Sequence, residues 1–302
     1  MSDGSAAVDG EVRVDADLVR RLVTAQFPRW ARLPVAPLPS WGTVNAVFRL
    51  GDELLVRLPR TADGAEDVLK EHRWLPELAP HLPVRIPGIA GRGAPGEGFP
   101  FPWSVQSWLP GTHPDPDRLA APDALARDLA GFVTALRRAD AVQAPPAYRG
   151  GPLAGVDEET RDALGRLRGT IDTDAAGAAW DRALRAPART GPPVWAHSDL
   201  MPGNLLLDGD RLTAVIDFGT AGTGDPACDL IPAWNLLPAG SRAVFRAATG
   251  ADDATWERGR GWALSMALIQ LPYYADSNPY MASNARRVIR EVLAEHAVAA
   301  GG

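Results

Sequence analysis

Two short stretches of the sequence hold side chains whose types and spacing could carry out chemistry. HSDLMPGN occupies residues 197–204 and DFG occupies residues 217–219, so Asn204 follows Asp199 by 5 positions and Asp217 follows Asn204 by 13. Transfer of a phosphoryl group needs a carboxylate that orients and deprotonates the attacking hydroxyl, together with oxygen ligands for magnesium. Kinases supply these groups from an H-x-D-x-x-x-x-N loop followed by D-F-G. The spacing therefore predicts Asp199 as the base and Asn204 and Asp217 as magnesium ligands.

A predicted β-hairpin explains how residues this far apart in the chain could act together. Strand-like segments at Asn204–Leu207 and Leu212–Ile216 flank the turn-forming pair Asp208-Gly209. The asparagine starts one strand and the aspartate ends its partner, so the hairpin brings both to the same end. The alternative is a polar turn before a purely structural hairpin, which the literal D-F-G disfavours.

Both motifs resemble the signatures of the aminoglycoside phosphotransferase family of antibiotic and small-molecule kinases. HSDLMPGN and IDFGTAGTGDPACDL look like its H-x-D-x-x-x-x-N and I-D-x-x-x-x-x-x-G-D-P-x-x-D-L patterns, and WGTVNAVFRLGDELLVRLPR is similar to its nucleotide loop and following strand. The similarity extends from about residue 14 to about residue 295. It implies an α+β, two-lobed protein-kinase-like fold with the nucleotide between the lobes. A small β-rich N-terminal lobe would precede a larger helical C-terminal lobe that contains the catalytic hairpin.

The resemblance also implies a nucleotide site, with ATP or GTP and Mg²⁺ as cofactors. Gly42, Thr43 and Asn45 would belong to the loop over the phosphates, although a simple turn before a hairpin would have a similar sequence. The carbonyl of Ser107 and the amide of Leu109 would hydrogen-bond the base of the nucleotide.

Arg57 is the main departure from the family pattern, because such kinases place a lysine on this strand. An arginine can pair with the α- and β-phosphates and with a helix glutamate, here Glu71, although its planar fork differs from a lysine ammonium. Lys70 is the only lysine in the chain and adjoins Glu71. If Arg57 is instead a surface arginine, another group must anchor the phosphates.

Three further polar residues belong to the two signatures. The resemblance implies that His197 supports the catalytic loop through hydrogen bonds. Asp225 and Asp229, in GDPACDL, could bind a cationic substrate or brace that loop, and the family suggests bracing for at least one of them.

The elements that must position these residues follow from hydrophobic periodicity and turn signals. In the first third we predict a helix from Asp15 or Asp17 to Gln26, strands at 44–50 and 53–58 around Gly51-Asp52, a helix at 66–75 and a strand at 101–107. Beyond Pro110-Gly111 the pattern turns helical, at 122–138, 158–184, 242–249, 255–271 and 282–299. We predict a nucleotide-binding lobe at 1–106 with a loose tail at 1–12, a hinge at 107–111, and a catalytic and substrate-binding lobe at 112–302.

Composition limits the class of protein and its surroundings. With 302 residues, a formal net charge of −6 and a pI near 5.4, the chain lacks the basic character of most nucleic-acid binders. Cys228 is the only cysteine, so no intramolecular disulfide can form, and no apolar run suits a signal peptide or a membrane span. We predict a cytoplasmic protein with no nucleic-acid, membrane or evident obligate protein partner.

Other motifs are absent or lack the context that they need. Residues 91–96, GRGAPG, match G-x-G-x-x-G, but EGFP follows in place of a helix, which favours a flexible β-turn over a dinucleotide site. Lys70 is not in a Walker A loop, no G-x-S-x-G occurs, and one cysteine with five histidines gives no zinc framework.

The acceptor that these features predict is a hydroxyl of a small molecule. Only 8 positions separate Asp217 from Asp225, too few for the activation segment of a protein kinase. Candidate lining residues, with core packing as the alternative for the aromatic ones, are Trp234, Asn235, Tyr273, Tyr274 and Asp276. An aminoglycoside would need an acidic cleft, for which the candidates are Asp225, Asp229, Asp276 and Glu291.

By family analogy we favour phosphorylation of an antibiotic, aminoglycoside-type or other, which would give resistance by inactivation. A kinase of a primary metabolite, such as a sugar or an amino alcohol, uses the same scaffold and is the alternative. A catalytically inactive, nucleotide-binding pseudokinase is a further alternative, disfavoured because the base and both metal ligands are retained.

Overall fold

The computed structural model of the protein describes residues 12–38 and 44–300, which form two compact units. The first unit comprises the chain up to Pro80, Arg85–Pro110 and Val215–Gly219. The second comprises His81–Val84, Gly111–Ala214 and the chain from Thr220. The D-F-G residues therefore belong to the first unit, although most of the first unit lies more than 100 positions earlier in the chain. No helix in the described ranges is long and apolar enough to cross a membrane.

An antiparallel sheet, with five strands among the described residues, forms the centre of the first unit. Its spatial order is β1-β2-β3-β5-β4. The strands are β1 (Val35–Pro37), β2 (Asn45–Leu50), β3 (Leu54–Pro59), β4 (Ile89–Gly93) and β5 (Trp103–Ser107). Gly51 has a φ of +59°, a left-handed conformation open to glycine at no steric cost, and this allows β2 to turn directly into β3.

Two helices accompany this sheet. Helix α1 (Ala16–Gln26) begins at Asp15, whose carboxylate accepts from the Leu18 N–H at 2.8 Å, and its apolar stripe joins the core of the sheet. Helix α2 (Ala62–Leu78) is capped by Thr61, and it buries Glu71 on the same face as its apolar residues. Glu71 is therefore directed into the interior of the first unit.

Helix α2 is longer than the predicted segment 66–75 and continues past Pro76. A proline inside a helix lacks the N–H that would bond to the carbonyl four residues earlier. That carbonyl, of His72, instead accepts from Arg92 Nη2 at 2.6 Å. The side chain from β4 thus satisfies the group that the proline leaves unpaired.

The second unit is mainly helical. Its helices within the described ranges are α3 (Pro122–Leu136), α4 (Asp157–Arg166), α5 (Thr173–Leu184), α6 (Pro232–Asn235), α7 (Ala239–Thr249), α8 (Asp253–Tyr274) and α9 (Pro279–Ala300). Two small antiparallel sheets pair β6 (Val194–Ala196) with β9 (Gly222–Gly224), and β7 (Leu205–Asp208) with β8 (Arg211–Val215). Helix α8 is buried along most of its length and packs against α4, α5 and α9.

The β7–β8 hairpin confirms the predicted pair of strands, but its turn is Gly209-Asp210 and not Asp208-Gly209. Gly209 takes the positive φ of +57° that this two-residue turn requires, which sets the register one position later. The predicted helix at 158–184 is two helices, α4 and α5, because the chain turns at Gly169, with a φ of +78°.

The sequence prediction of a flexible β-turn at residues 91–96 is wrong for its first half, which lies in β4. A Cβ at Gly93 would lie 2.0 Å from the indole ring of Trp103, so glycine is required for this ring to cross the strand. A Cβ at Gly91 would lie 2.9 Å from the ring of Phe27. The glycines therefore serve close packing inside the first unit.

Candidate active site

In the first unit, Arg57 joins two of the predicted site carboxylates. Its Nη1 donates to Glu71 Oε1 at 2.7 Å, and its Nη2 donates to Asp217 Oδ1. Arg57 is buried, and burial by itself would lower the pKa of its guanidinium. The charges of Asp217 and Glu71 outweigh burial and raise that pKa above its ordinary value, so Arg57 stays positively charged.

Glu71 connects four parts of the first unit through one carboxylate. Besides Arg57 on β3, its Oε1 accepts from the Phe218 N–H at 3.0 Å, and its Oε2 accepts from Gln106 Nε2 on β5 at 3.2 Å. Burial raises the pKa of Glu71, while the charge of Arg57 and the hydrogen bonds oppose that rise. The position of the D-F-G backbone thus depends on a side chain of helix α2.

Asp217 meets Arg57 because the chain turns sharply after β8. Its φ is +64°, a left-handed conformation that non-glycine residues rarely adopt and that tertiary contacts must hold. Asn45, at the start of β2, lies against the same guanidinium. With its carboxamide oxygen turned toward Arg57, Asn45 accepts from Nε at 3.1 Å and from Nη2 at 2.9 Å. Gly42 and Thr43 lie outside the described residues.

The two remaining residues that are predicted to contact the nucleotide lie at the end of β5 and just beyond it. Ser107 is the last residue of this strand, and its N–H donates to the Gly88 carbonyl at 2.8 Å. Leu109 follows two positions later. The contacts predicted for the Ser107 carbonyl and the Leu109 amide stay predictions. Lys70 pairs with Asp67, one turn earlier on α2, at 3.3 Å.

In the second unit, Asp229 braces the predicted catalytic loop, residues 197–204. Its two carboxylate oxygens accept from the N–H groups of His197 at 2.9 Å and Ser198 at 2.8 Å. Burial raises the pKa of Asp229, and the charge of His197 together with these two bonds opposes the rise. Thr220 adds a second brace, because its hydroxyl donates to the His197 carbonyl at 3.0 Å. The geometry favours bracing over substrate binding for Asp229.

Asp199 and Asn204 are joined directly within this loop. Asn204 Nδ2 donates to the Asp199 carbonyl at 2.8 Å and to Asp199 Oδ2 at 3.0 Å. A single helical turn, Pro202–Asn204, brings the asparagine back to the aspartate just before β7. Because Nδ2 is directed to Asp199, the carboxamide oxygen is the atom of Asn204 that is left for a cation.

The donor set fits magnesium better than a metal held by protein ligands alone. No group of three or more His, Cys, Asp or Glu side chains could hold a metal ion in the part of the chain that the structure describes. Mg²⁺ is usually bound by one or two protein oxygens and completes its shell with water and phosphate. The amide oxygen of Asn204, in the second unit, and the carboxylate of Asp217, in the first, are each of the ligand type that Mg²⁺ prefers, and their binding of one ion stays a prediction.

Sequence reasoning missed Arg149. Its Nη1 donates to Asp199 Oδ1 at 3.2 Å and to the Ser198 carbonyl at 3.3 Å. It lies 50 positions before its partner and belongs to no recognised motif, so nothing in the sequence distinguishes it from the other arginines.

Most residues predicted to line an acceptor site have structural partners. Asn235 is buried and donates to the Leu200 carbonyl at 3.0 Å, so it supports the catalytic loop. Trp234 is buried and donates to Glu295 at 2.7 Å, which fits the core-packing alternative. Tyr273 and Asp276 are exposed, near the end of α8.

The acidic residues predicted to form a cleft are largely paired. Asp225 binds Arg258 at 2.5 Å, Glu291 binds Arg242, and Asp229 accepts the two backbone bonds described above. Asp276 is the exposed member of that set.

Residues 36–262 match the family model described as the phosphotransferase enzyme family, APH. The match covers more than half of the chain, and the protein therefore belongs to this family, as the motifs predicted. No curated protein sequence matches this chain significantly.

Solved structures show the same fold. The GDP complex of aminoglycoside 2'-phosphotransferase-IIIa superposes with a TM-score of 0.74 at 20% identity, covering 93% of this chain and 99% of that chain. The apoenzyme of the macrolide 2'-phosphotransferase MphH from Brachybacterium faecium gives 0.61 at 23% identity, covering 91% and 97%. ADP-bound aminoglycoside phosphotransferase APH(2'')-Ib gives 0.61 at 15% identity, covering 94% and 99%. These likenesses confirm the predicted α+β, protein-kinase-like fold.

Proposed function

We propose that the protein is a magnesium-dependent kinase that moves the γ-phosphoryl group of ATP or GTP to a hydroxyl of a small molecule, with an antibiotic as the favoured acceptor. The observation that carries this proposal is the pair of hydrogen bonds from Asn204 to Asp199. They hold a candidate base beside a candidate metal ligand in a member of the phosphotransferase family. Solved relatives that bind GDP, ADP and kanamycin support the nucleotide and the class of acceptor.

Asp199 would act as the base in this reaction. The acceptor oxygen attacks the γ-phosphorus, its proton passes to Asp199, and the bond to the leaving nucleoside diphosphate breaks. Asn204 and Arg149 each donate to one oxygen of the Asp199 carboxylate and keep it in one orientation. A carboxylate oxygen can accept more than one hydrogen bond, so this carboxylate would still take the acceptor proton. Magnesium held by Asn204 and Asp217 would neutralise charge on the β- and γ-phosphates.

Arg57 would keep Asp217 in position while carrying a permanent positive charge for the phosphates. In this proposal Asn45, with Gly42 and Thr43, contacts the phosphates as well, and Glu71 orients Arg57. Ser107 and Leu109 would bind the base of the nucleotide through their backbone.

The acceptor is favoured to carry fewer ammonium groups than an aminoglycoside. Of the carboxylates expected to form an acidic cleft, Asp225 and Glu291 are in ion pairs and Asp229 is bound to backbone N–H groups. A carboxylate that already has a partner contributes little further attraction for a substrate cation. A macrolide fits this charge distribution better than an aminoglycoside does. One of the similar solved structures is that of a macrolide 2'-phosphotransferase.

The test is a nucleotide-consumption assay with a panel of acceptors, run with magnesium and with EDTA. The panel contains kanamycin, gentamicin, erythromycin, simple sugars and amino alcohols, each with ATP and with GTP, and mass spectrometry identifies the phosphorylated product. We expect magnesium-dependent transfer to an antibiotic. A higher kcat/KM for a sugar or amino alcohol would support the metabolite kinase instead. Nucleotide binding with no transfer to any acceptor would indicate a pseudokinase.

The variant Asp199→Asn tests the base. We expect kcat to fall by about 10²–10⁴-fold, with nucleotide affinity unchanged, because the amide cannot accept the proton. Asp208→Asn is the matched control, since Asp208 is an exposed aspartate at the end of β7, and it should behave as the wild type. Undiminished transfer by Asp199→Asn would reject the assignment.

A further inference from the structure

Arg149 has hydrogen-bonding capacity that its contacts do not use. Its Nη1 is shared between Asp199 Oδ1 and the Ser198 carbonyl. Within the described ranges, Nε and Nη2 of Arg149 donate to no residue. The side chain is 21% exposed, and neither nitrogen is among the described buried atoms that lack a hydrogen-bond partner, so both keep some contact with solvent. One edge of the guanidinium therefore holds the predicted base, and the rest of its planar fork can bind an anion.

Hydrogen bonds fix the backbone on both sides of Arg149, so the fold determines where this cation lies. The Tyr148 N–H donates to the Thr220 carbonyl at 3.0 Å, and the Gly150 carbonyl accepts from the Asp225 N–H at 2.7 Å. Gly150 has a φ of +119°, and a Cβ there would lie 3.3 Å from the Asp225 nitrogen. These contacts anchor the loop of Arg149 to the segment that follows the D-F-G motif.

We propose that Arg149 is a further catalytic residue, whose guanidinium stabilises the negative charge on the phosphoryl group as it reaches the acceptor. The inference rests on the proposed function. An acceptor oxygen must lie within about 2.6–3.2 Å of the base that takes its proton. The phosphorus becomes bonded to that same oxygen, and Arg149 is 3.2 Å from the same carboxylate. The charged phosphoryl oxygens therefore come within reach of the unused donors of Arg149.

The chemistry balances without any change in Arg149. The acceptor oxygen forms a bond to the γ-phosphorus, the bond from phosphorus to the nucleoside diphosphate breaks, and the hydroxyl proton goes to Asp199. Arg149 supplies charge and hydrogen bonds only, as arginines supplied in cis do in other phosphoryl-transfer enzymes. A merely structural Arg149 would hold the loop and make no contact with the transferred group.

The experiment compares Arg149→Met and Arg149→Lys with Arg211→Met. Arg211 is a matched control, because it forms an exposed ion pair with Asp128 in the same unit. Three quantities are measured: kcat with the best acceptor of the panel, the Tm, and the affinity for ADP and GDP with magnesium, with and without aluminium fluoride. Aluminium fluoride mimics the phosphoryl group in transit, so the gain in affinity that it causes reports the stabilisation of that group.

We expect Arg149→Met to lower kcat by about 10²–10³-fold, to abolish the gain in affinity from aluminium fluoride, and to leave diphosphate affinity unchanged. Arg149→Lys, which keeps the charge, should recover part of both losses. Arg211→Met should match the wild type in all three measurements.

Two results would overturn the inference. One is an unchanged kcat in Arg149→Met, and the other is a lower kcat with the full aluminium fluoride gain retained, which indicates a structural role. Should Arg149→Met fail to fold, the same readouts on Arg149→Lys decide. Failure of the proposed function looks different, because the wild type itself would then transfer no phosphoryl group.

Discussion

Asp199, the predicted base, and Asp217, a predicted magnesium ligand, are each paired with an arginine, and the two pairs differ in burial. In the first unit Arg57 is buried and holds Asp217 and Glu71 at once. In the second unit Arg149 holds Asp199 through one nitrogen and is 21% exposed. The same combination of side chains can thus serve two purposes. A buried, fully shared arginine mainly fixes structure, whereas a partly exposed one keeps donors for a ligand.

Burial also explains the departure of Arg57 from the lysine that the family pattern calls for. Its two terminal nitrogens each bind one carboxylate, Nη1 that of Glu71 and Nη2 that of Asp217. A planar fork suits this double pairing, while an ammonium is a single point charge. The arginine therefore links helix α2, strand β3 and the D-F-G segment within the first unit.

The largest effect on stability is expected from Arg57→Met. Removing one partner of a buried ion pair leaves Glu71 as an unpaired buried charge, and the free energy of unfolding should fall by about 3–5 kcal/mol. Urea denaturation of the purified protein measures it. The same variant should raise the KM for the nucleotide. Arg57→Lys should show a smaller loss of stability and a smaller rise in that KM. If Arg57→Met were as stable as the wild type, Arg57 would not have the structural role that distinguishes it from Arg149.

A somewhat smaller effect is expected from Asp229→Ala in the second unit. The N–H groups of His197 and Ser198 would lose their acceptor in a buried site, which should cost about 2–4 kcal/mol in urea denaturation. Asp229→Asn, which keeps one acceptor oxygen, is the milder control. Equal stability of Asp229→Ala and the wild type would show that the catalytic loop does not depend on this brace.

A pH effect of about 2 kcal/mol between pH 7 and pH 5 is expected from His72, next to Glu71 on α2. Burial, together with the charge of Arg92, lowers the pKa of His72 to about 4. As the pH falls below about 6.5, the unfolded chain binds a proton that the folded chain does not bind until about pH 4, so stability is lost over that range. Urea denaturation at both pH values measures the loss.

His72→Gln should remove that part of the pH dependence, while the exposed His81 provides the control variant His81→Gln. An unchanged slope in His72→Gln would contradict the assignment to His72.

The smallest effect on stability is expected from Arg149→Met. A partly exposed ion pair contributes about 0–1 kcal/mol, so the urea midpoint should hardly move. The difference in stability loss between Arg149→Met and Arg57→Met is the sharpest test of whether the two arginines have different roles. Losses of the same size in the two variants would mean that Arg149 is as structural as Arg57.

The sequence by itself determined the features that depend on local spacing. The interval from Asp199 to Asn204, the literal D-F-G and the family patterns were sufficient for the fold class and the family. Helix α1 and the β2–β3 hairpin at Gly51 followed from a cap, an apolar stripe and a turn glycine. Such signals lie within a few residues of each other, where backbone geometry alone restricts the outcome.

Only the tertiary structure decided which distant side chains meet. Arg57 and Asp217 are 160 positions apart, and Arg149 and Asp199 are 50 apart. The continuation of α2 past Pro76 depends on Arg92, which donates to the carbonyl that the proline leaves unpaired. Contacts of this kind form only when distant segments pack together in the folded chain, and no local pattern of residue types encodes them.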